Sequence, residues 1–267
     1  MNGKVALVTG ASSGIGEATA ERLAAGGFTV FGTSRRPAPD GNRPFEMLTL
    51  DVTRDESVEA VVKDVMRIAG RIDVLVNNAG FGVAPAGAEE SSTEQAQAIF
   101  DTNFFGIVRM ARAVVPHMRQ RAQGRIINIG SVLGFMPVPY MALYSATKHA
   151  LEGYSEALDH ELRTRGIRVS VIEPAYTKTP FDAHLVEPDA ALDEYREVRT
   201  AVKKRVQEVM ATADAPHIVA EVVLRAATDA RPKVRYTAGG SAGRLRFLRT
   251  FLPADFMDAG VRRDLRL

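Results

Sequence analysis

The chain has 267 residues, 46% of them hydrophobic and 25% charged, with a formal net charge of +2. That length suits one large α/β domain with a sizeable core, and so small a net charge gives no reason to expect nucleic acid as a partner. There is no cysteine, which excludes disulfides, thiolate metal sites and cysteine nucleophiles; the five histidines share no metal-ligand spacing, so no metal is expected.

In chain order, Val5-Ala6-Leu7-Val8 is a short apolar run that predicts a buried strand. Ala18, Ala20, Leu23 and Ala24 then recur at helical spacing. Between them, Thr9-Gly10-Ala11-Ser12-Ser13-Gly14-Ile15-Gly16 spaces its glycines G-x-x-x-G-x-G. Strand, glycine turn and helix together form a context that holds a pyrophosphate: glycine admits close backbone approach, and the helix N-terminus offers unpaired N–H groups. The first strand starts near residue 4, which leaves no room for a signal peptide. No apolar run approaches the roughly 18 residues needed to cross a bilayer, so a cytoplasmic protein is expected.

Phe28 to Thr33 predicts a second strand, followed by a loop through Pro37, Pro39 and Gly41. A short strand is expected from Met47 to Leu50, ending at Asp51, then a helix over 55–69. Ile72 to Val76 predicts a strand halted by Asn77-Asn78-Ala79-Gly80, with Asp73 in a structural role. One long helix is expected over about 92–121, kinked at Pro116. Strands at Arg125–Ile129, Ile167–Ile172 and Lys233–Tyr236 alternate with helices at 143–165 and 214–229. About seven strands interleaved with about six helices imply a Rossmann-type, doubly wound parallel sheet with helices on both faces. Ligands then bind at the carboxyl ends of the strands. Nothing justifies a domain cut within 1–267. A charged helical insertion at about 176–213 reads as a lid. Residues 240–267 form a basic tail carrying Leu245, Leu248, Phe251 and Leu252, read as an amphipathic flap or subunit contact, with docking to anionic lipid as the alternative.

Tyr144 and Lys148 stand four residues apart, so on a helix they share a face. A free phenol titrates near pH 10, and a neighbouring ammonium lowers that value. Ser131 follows the fifth strand, where its hydroxyl can donate to a carbonyl, and Asn103 lies in the long helix. A Tyr-x-x-x-Lys pair alone also occurs on surface helices, so its weight comes from these companions.

The Thr9–Gly16 loop, Asn77-Asn78-Ala79-Gly80, Asn103, Ser131 and the Tyr144/Lys148 pair stand in the order and spacing of the short-chain dehydrogenase/reductase family, which the chain resembles from about residue 3 to 180. The resemblance implies that Tyr144 is the general acid/base, Ser131 polarises the carbonyl, and Lys148 tunes Tyr144 and holds the nicotinamide ribose. Asn103 would position a water that relays protons to Lys148. The cofactor would lie against Gly10, Ser12, Ser13, Gly14, Ile15 and Gly16. Asp51 and Val52 would contact adenine, Asn77, Ala79 and Gly80 would line the cleft, and Pro174, Thr177 and Thr179 would flank the nicotinamide. Where the family usually has Pro-Gly, this chain reads Pro174-Ala175, which should constrain the backbone there.

Enzymes that prefer NAD keep an acid at the end of the second strand. Here the segment reads Thr33-Ser34-Arg35-Arg36, with no acid until Asp40. A guanidinium grips a 2′-phosphate that an acid would repel, so NADP(H) is expected, held chiefly by Arg35 with Ser34, Arg36 or Ser12 assisting. Leu133, Phe135 and Tyr140, joined by Tyr176, Phe181 and Leu185 from the insertion, imply an apolar substrate pocket. The chain is also similar to the 17β-hydroxysteroid and retinol dehydrogenase-like branch. The expected substrate is therefore a ketone, aldehyde or alcohol on a bulky lipophilic body of steroid, retinoid or fatty type, with a polyketide or sugar-like carbonyl as the alternative. The competing readings are a cofactor-binding regulator without turnover, and an epimerase or dehydratase on the same scaffold. The family commonly forms dimers or tetramers, and a homo-oligomer is expected.

Overall fold

The structure is a computed structural model and describes residues 3–36, 42–181 and 184–267. The Pro37–Gly41 loop lies outside the described residues.

Among the described residues seven strands pair in parallel: β1 (Val5–Val8), β2 (Thr29–Ser34), β3 (Glu46–Thr49), β4 (Val74–Asn77), β5 (Gly124–Ile129), β6 (Ile167–Pro174) and β7 (Arg235–Ala238), in the order β3-β2-β1-β4-β5-β6-β7. Every residue of β1 and β4 is buried, as a strand covered on both faces requires. Their side chains alternate between two cores. Ala6, Val8, Val74 and Val76 face α1 (Gly14–Ala25) and α7 (Pro216–Thr228) through Leu23, Val219 and Val223. Val5, Leu7, Leu75 and Ile126 face α2 (Asp55–Ala69) through Val61 and Val65, together with Met110, Val114 and Leu162 from later helices. Asp73 has the expected structural role, accepting from the Val5 amide (2.8 Å) and pairing with Arg71. Strand order reverses between β1 and β4, and in doubly wound sheets the ligand crevice lies outside the carboxyl ends at such a point.

The helix expected over 92–121 is divided. α3 (Thr93–Phe100) gives way to a π-helical turn at Asp101–Phe105, and α4 (Gly106–Gln120) then runs unbroken through Pro116. The irregularity therefore sits at Asn103 and not at the proline. Asn103 is buried, and its amide is committed to the main chain of a neighbouring loop; π-turns inside helices often mark functional positions. α5 (Ala142–Leu162) carries Tyr144 and Lys148. The 176–213 insertion folds into a short 3₁₀ turn at Asp193–Tyr195 and α6 (Arg196–Met210). The tail forms α8 (Gly240–Phe251) and α9 (Ala254–Leu265). Its apolar residues do not all turn inward: Leu245 packs on the core, while Phe247, Phe251 and Phe256 are exposed. Among the described residues no helix is long and apolar enough to cross a membrane.

Candidate active site

The glycine loop is held by groups on β4's exit. The Thr9 hydroxyl accepts from the amides of Asn78 and Ala79, both at 3.0 Å, and the Asn78 side chain donates to the carbonyls of Thr9 (3.0 Å) and Gly10 (2.9 Å). Gly10 has φ +67°, and a Cβ there would stand 2.9 Å from the Ala79 Cα. A Cβ at Gly16 would be driven into the Gly10 carbonyl. The loop can close this tightly only because those positions lack side chains. Ser12 and Ser13 are exposed on it, Ser13 caps α1 without a side-chain bond, and Ile15 packs on the core. Gly14 abuts Thr179, which brings the exit of β6 over the loop.

Asn77 is placed differently from expectation. It does not line the cleft: its Nδ2 donates to Asn128 Oδ1 (2.8 Å), and Asn128 in turn donates to Ser155 Oγ (2.9 Å), all three being buried. Asn77 is the last residue of β4 and Asn78 the first beyond it, so their side chains face opposite ways. The cleft side belongs to Asn78, which the sequence reading passed over. Gly80 lies against Asn103, which accepts from the Phe81 amide (3.0 Å), donates to the Phe81 carbonyl (2.8 Å) and reaches Thr147 (3.4 Å).

At the far end of the crevice, Ser34 donates to the Arg36 carbonyl and both arginines are exposed. Burial raises the Asp51 carboxyl, but hydrogen bonds from Thr53 and the charges of Arg35 and Arg54 outweigh it and hold Asp51 below the ordinary carboxylate range. Arg35 is thus one of the charges that act on Asp51, the residue expected beside adenine. Val52 is buried against Gly106 at the start of α4. Pro174 ends β6, and Thr177 donates to the Ala175 carbonyl (3.1 Å). Ala175 is not among the described residues with positive φ, so alanine adds no strain where the family usually has glycine.

The chemistry-bearing side chains meet where β5 runs under α5. Ser131 caps a 3₁₀ turn at Val132–Gly134 and accepts from the Leu133 amide (3.2 Å), which leaves its own proton as the one it can donate. Lys148 Nζ donates to the Ile129 carbonyl (2.8 Å), two residues before Ser131, and lies 5.5 Å from the centre of the Tyr144 ring. Burial pushes the Lys148 ammonium down to about 8, against the opposing pull of the Glu152 charge. A buried cation this close favours the phenolate of Tyr144, which is the requirement for a phenol that exchanges protons near neutral pH.

Tyr144 also lines a pocket with Val83, Ala84, Ala86, Tyr140 and Leu143. Tyr140 takes φ +64°, rare for an aromatic residue, and is held there by the Ala86 amide donating to its carbonyl (3.0 Å). Phe181 meets the Tyr144 ring edge-on at 5.9 Å, and Phe181 and Leu185 close over Gly82. Tyr176 lies beyond β6, where its carbonyl accepts from the Asp214 amide (3.2 Å). Phe135 does not face the pocket: it is buried with Val132 and Ala242 against α8, under the Arg246 guanidinium, and Leu133 packs on the same cluster. Both belong to a cluster that includes Ala242 and Leu245 of α8. The 176–213 insertion is tied down by a residue that no sequence motif marks. Glu90, fully buried, accepts from the amides of Gly87 (2.7 Å) and Leu192 (2.8 Å) and pairs with Arg199 of α6.

With this geometry in view, residues 4–190 match the family model described as short chain dehydrogenase. The chain belongs to the short-chain dehydrogenase/reductase family. It is 45% identical over 182 residues to a 3-ketodihydrosphingosine reductase of Bacteroides thetaiotaomicron, a match spanning 68% of this chain and 66% of that protein. It is 34% identical over 257 residues to retinol dehydrogenase 8 of Bos taurus, spanning 87% and 80% of the two chains. Among solved structures, a short-chain dehydrogenase of Streptomyces avermitilis superposes with a TM-score of 0.82 at 33% identity, over 98% of this chain and 96% of that one. A 3-ketoacyl-(acyl-carrier-protein) reductase of Brucella melitensis complexed with NADH has a TM-score of 0.76 at 28% identity (90% and 98% covered). A serine dehydrogenase complexed with NADP+ has 0.75 at 28% (87% and 93% covered). The family works on the carbonyl/alcohol pair with a nicotinamide cofactor, and the glycine-only contacts of the Thr9–Gly16 loop fit the pyrophosphate of such a group.

Proposed function

We propose that this protein is an NADP(H)-dependent oxidoreductase that interconverts a ketone or aldehyde and its alcohol on a bulky lipophilic body. The observation that carries the reaction is the stacked arrangement of Ile129 carbonyl, Lys148 ammonium and Tyr144 ring beside the Ser131 turn. A bound nicotinamide supplies or accepts the hydride. In reduction Ser131 donates a hydrogen bond to the substrate carbonyl oxygen, Tyr144 delivers its phenolic proton to that oxygen, and the Lys148 charge stabilises the phenolate left behind. Asn103, held on the Phe81 main chain, would position a water that relays the replacement proton to Lys148.

The preference for NADP(H) rests on Arg35, whose charge acts on Asp51 at the adenine end, and on Ser34 standing where an acid would exclude a 2′-phosphate. The lipophilic substrate rests on the apolar residues around Tyr144, namely Val83, Ala84, Ala86 and Leu143, with Phe181 and Leu185 over neighbouring Gly82. Relatives named for a 3-keto sphingoid base and for retinol support it. A panel of long-chain ketones, retinal and steroid ketones assayed with NADPH and NADH tests both parts. NADPH-driven reduction of at least one lipophilic carbonyl is expected; a higher kcat/KM with NADH would overturn the cofactor assignment, and preference for a small polar carbonyl would overturn the substrate class.

A further inference from the structure

The C-terminal helix α8 reaches the back of the Ser131 turn. The turn is bracketed by Gly130 and Gly134, and the Glu152 side chain of α5 lies behind both: a Cβ at Gly134 would stand 3.1 Å from Glu152 Cγ, and one at Gly130 would stand 3.5 Å from Glu152 Oε1. Beside Glu152, buried Glu173 of β6 is bonded by Arg246 of α8, whose Nε lies 3.1 Å from Glu173 Oε2. Arg235 of β7 joins this cluster, 2.8 Å from Glu152 and 3.8 Å from Glu173. The Arg246 guanidinium also lies over the Phe135 ring at 4.1 Å. One helical turn further, Arg249 Nε donates to the Phe135 carbonyl (3.1 Å). Ala242 of the same helix is fully buried against Val132 and Phe135.

Phe135 is the residue that closes the turn, its amide donating to the Val132 carbonyl while the Gly134 amide donates to that of Ser131. A helix that grips the ring and the carbonyl of Phe135 fixes where the turn ends. With β5 fixing where it starts, the direction of the Ser131 side chain is set from both sides. We propose that Arg246 and Arg249 are positioning residues that hold Ser131 in its working orientation, which makes the tail part of the catalytic apparatus. The proposal rests on the assignment of Ser131 as the carbonyl-polarising hydroxyl. It requires no contact between either arginine and substrate.

Two variants isolate the effect. Arg249→Ala removes only the bond to the Phe135 carbonyl at an exposed position. Arg246→Lys keeps a cation on Glu173 but loses the planar face over Phe135. Each is expected to lower kcat about tenfold, since small misplacements of a reacting group are costly, with the NADPH Kd within twofold of wild type. In both, hydrogen exchange at the amides of Gly134, Phe135 and Met136 should speed up about tenfold while the β1 amides stay unchanged. In a Ser131→Ala background the same substitutions should cost no further kcat, because they act through the missing hydroxyl. Unchanged kcat and exchange, or an equal loss in the Ser131→Ala background, would overturn the proposal. If wild type reduces no carbonyl compound, the reading of the site fails, and the exchange measurement still decides whether the two arginines order the turn.

Discussion

On the cofactor side of the crevice, contacts are made by main chain and by short side chains: Gly10 against Ala79, Gly16 against the Gly10 carbonyl, and Thr9 and Asn78 exchanging bonds with backbone. On the substrate side, long charged side chains span the gaps between elements, as Glu90 does to Arg199 and Glu173 to Arg246. The first construction tolerates almost no added volume but needs no charge balance. The second can shift by a rotamer, yet its buried carboxylates depend on arginines from distant elements, Glu90 on Arg199 and Glu173 on Arg246 and Arg235. A seat for a fixed ligand suits the first, and a wall that varies with substrate suits the second.

The largest effect should come from filling the rigid side. Gly16→Val places its Cβ against the Gly10 carbonyl and is expected to raise the NADPH Kd more than about 100-fold in a fluorescence titration, with helical circular dichroism retained. A Kd within threefold of wild type would mean that the loop does not seat the cofactor. On the adaptable side, Glu90→Gln leaves half-buried Arg199 without its counter-charge and should loosen the 176–213 insertion. Substrate KM should rise about tenfold while NADPH affinity holds; a loss of NADPH affinity instead would erase the distinction between the two sides. Arg35→Ala should weaken NADPH about tenfold, roughly 1.4 kcal/mol, and leave NADH unchanged.

The smallest effect concerns stability. Burial and the neighbouring Glu152 charge push the Glu173 carboxyl up to about 7, against the pull of Arg246. Between the ordinary glutamate value of 4.5 and about 7 the folded chain keeps a proton that the unfolded chain has released. Stability should therefore fall as pH rises through that window and level off above it. Urea titrations at steps of pH would show the slope, and Glu173→Gln should flatten it.

The sheet was legible because buried parallel strands are uniformly apolar, as in Val5–Val8 and Val74–Val76, and their breaks fall at glycine or asparagine. The candidate site residues Ser131, Tyr144 and Lys148 were legible because their spacing along one strand exit and one helix is local. What sequence could not show was pairing across long separations. Glu90 and Arg199 stand 109 positions apart in the chain, and nothing local marks them as partners. Asn77 and Asn78 were confused because a strand's last residue decides which neighbour faces the cleft, and strand ends are hard to place to one residue. Phe135 was assigned to the pocket on hydrophobicity alone, and the tail that covers it lies more than 100 residues away. The π-turn at Asn103 escaped notice because the proline was the stronger local signal.

The central claim is that Tyr144, beside the buried Lys148, moves the proton while a nicotinamide moves the hydride. Wild type and Tyr144→Phe, each saturated with NADPH deuterated at the transferable C4 position, can be given the same lipophilic ketone and the alcohol examined by mass spectrometry. Deuterated alcohol from wild type is expected, with its formation slowed by about 10²–10⁴-fold in the variant at unchanged NADPH affinity. Equal rates of deuterium transfer from the two proteins would contradict the account.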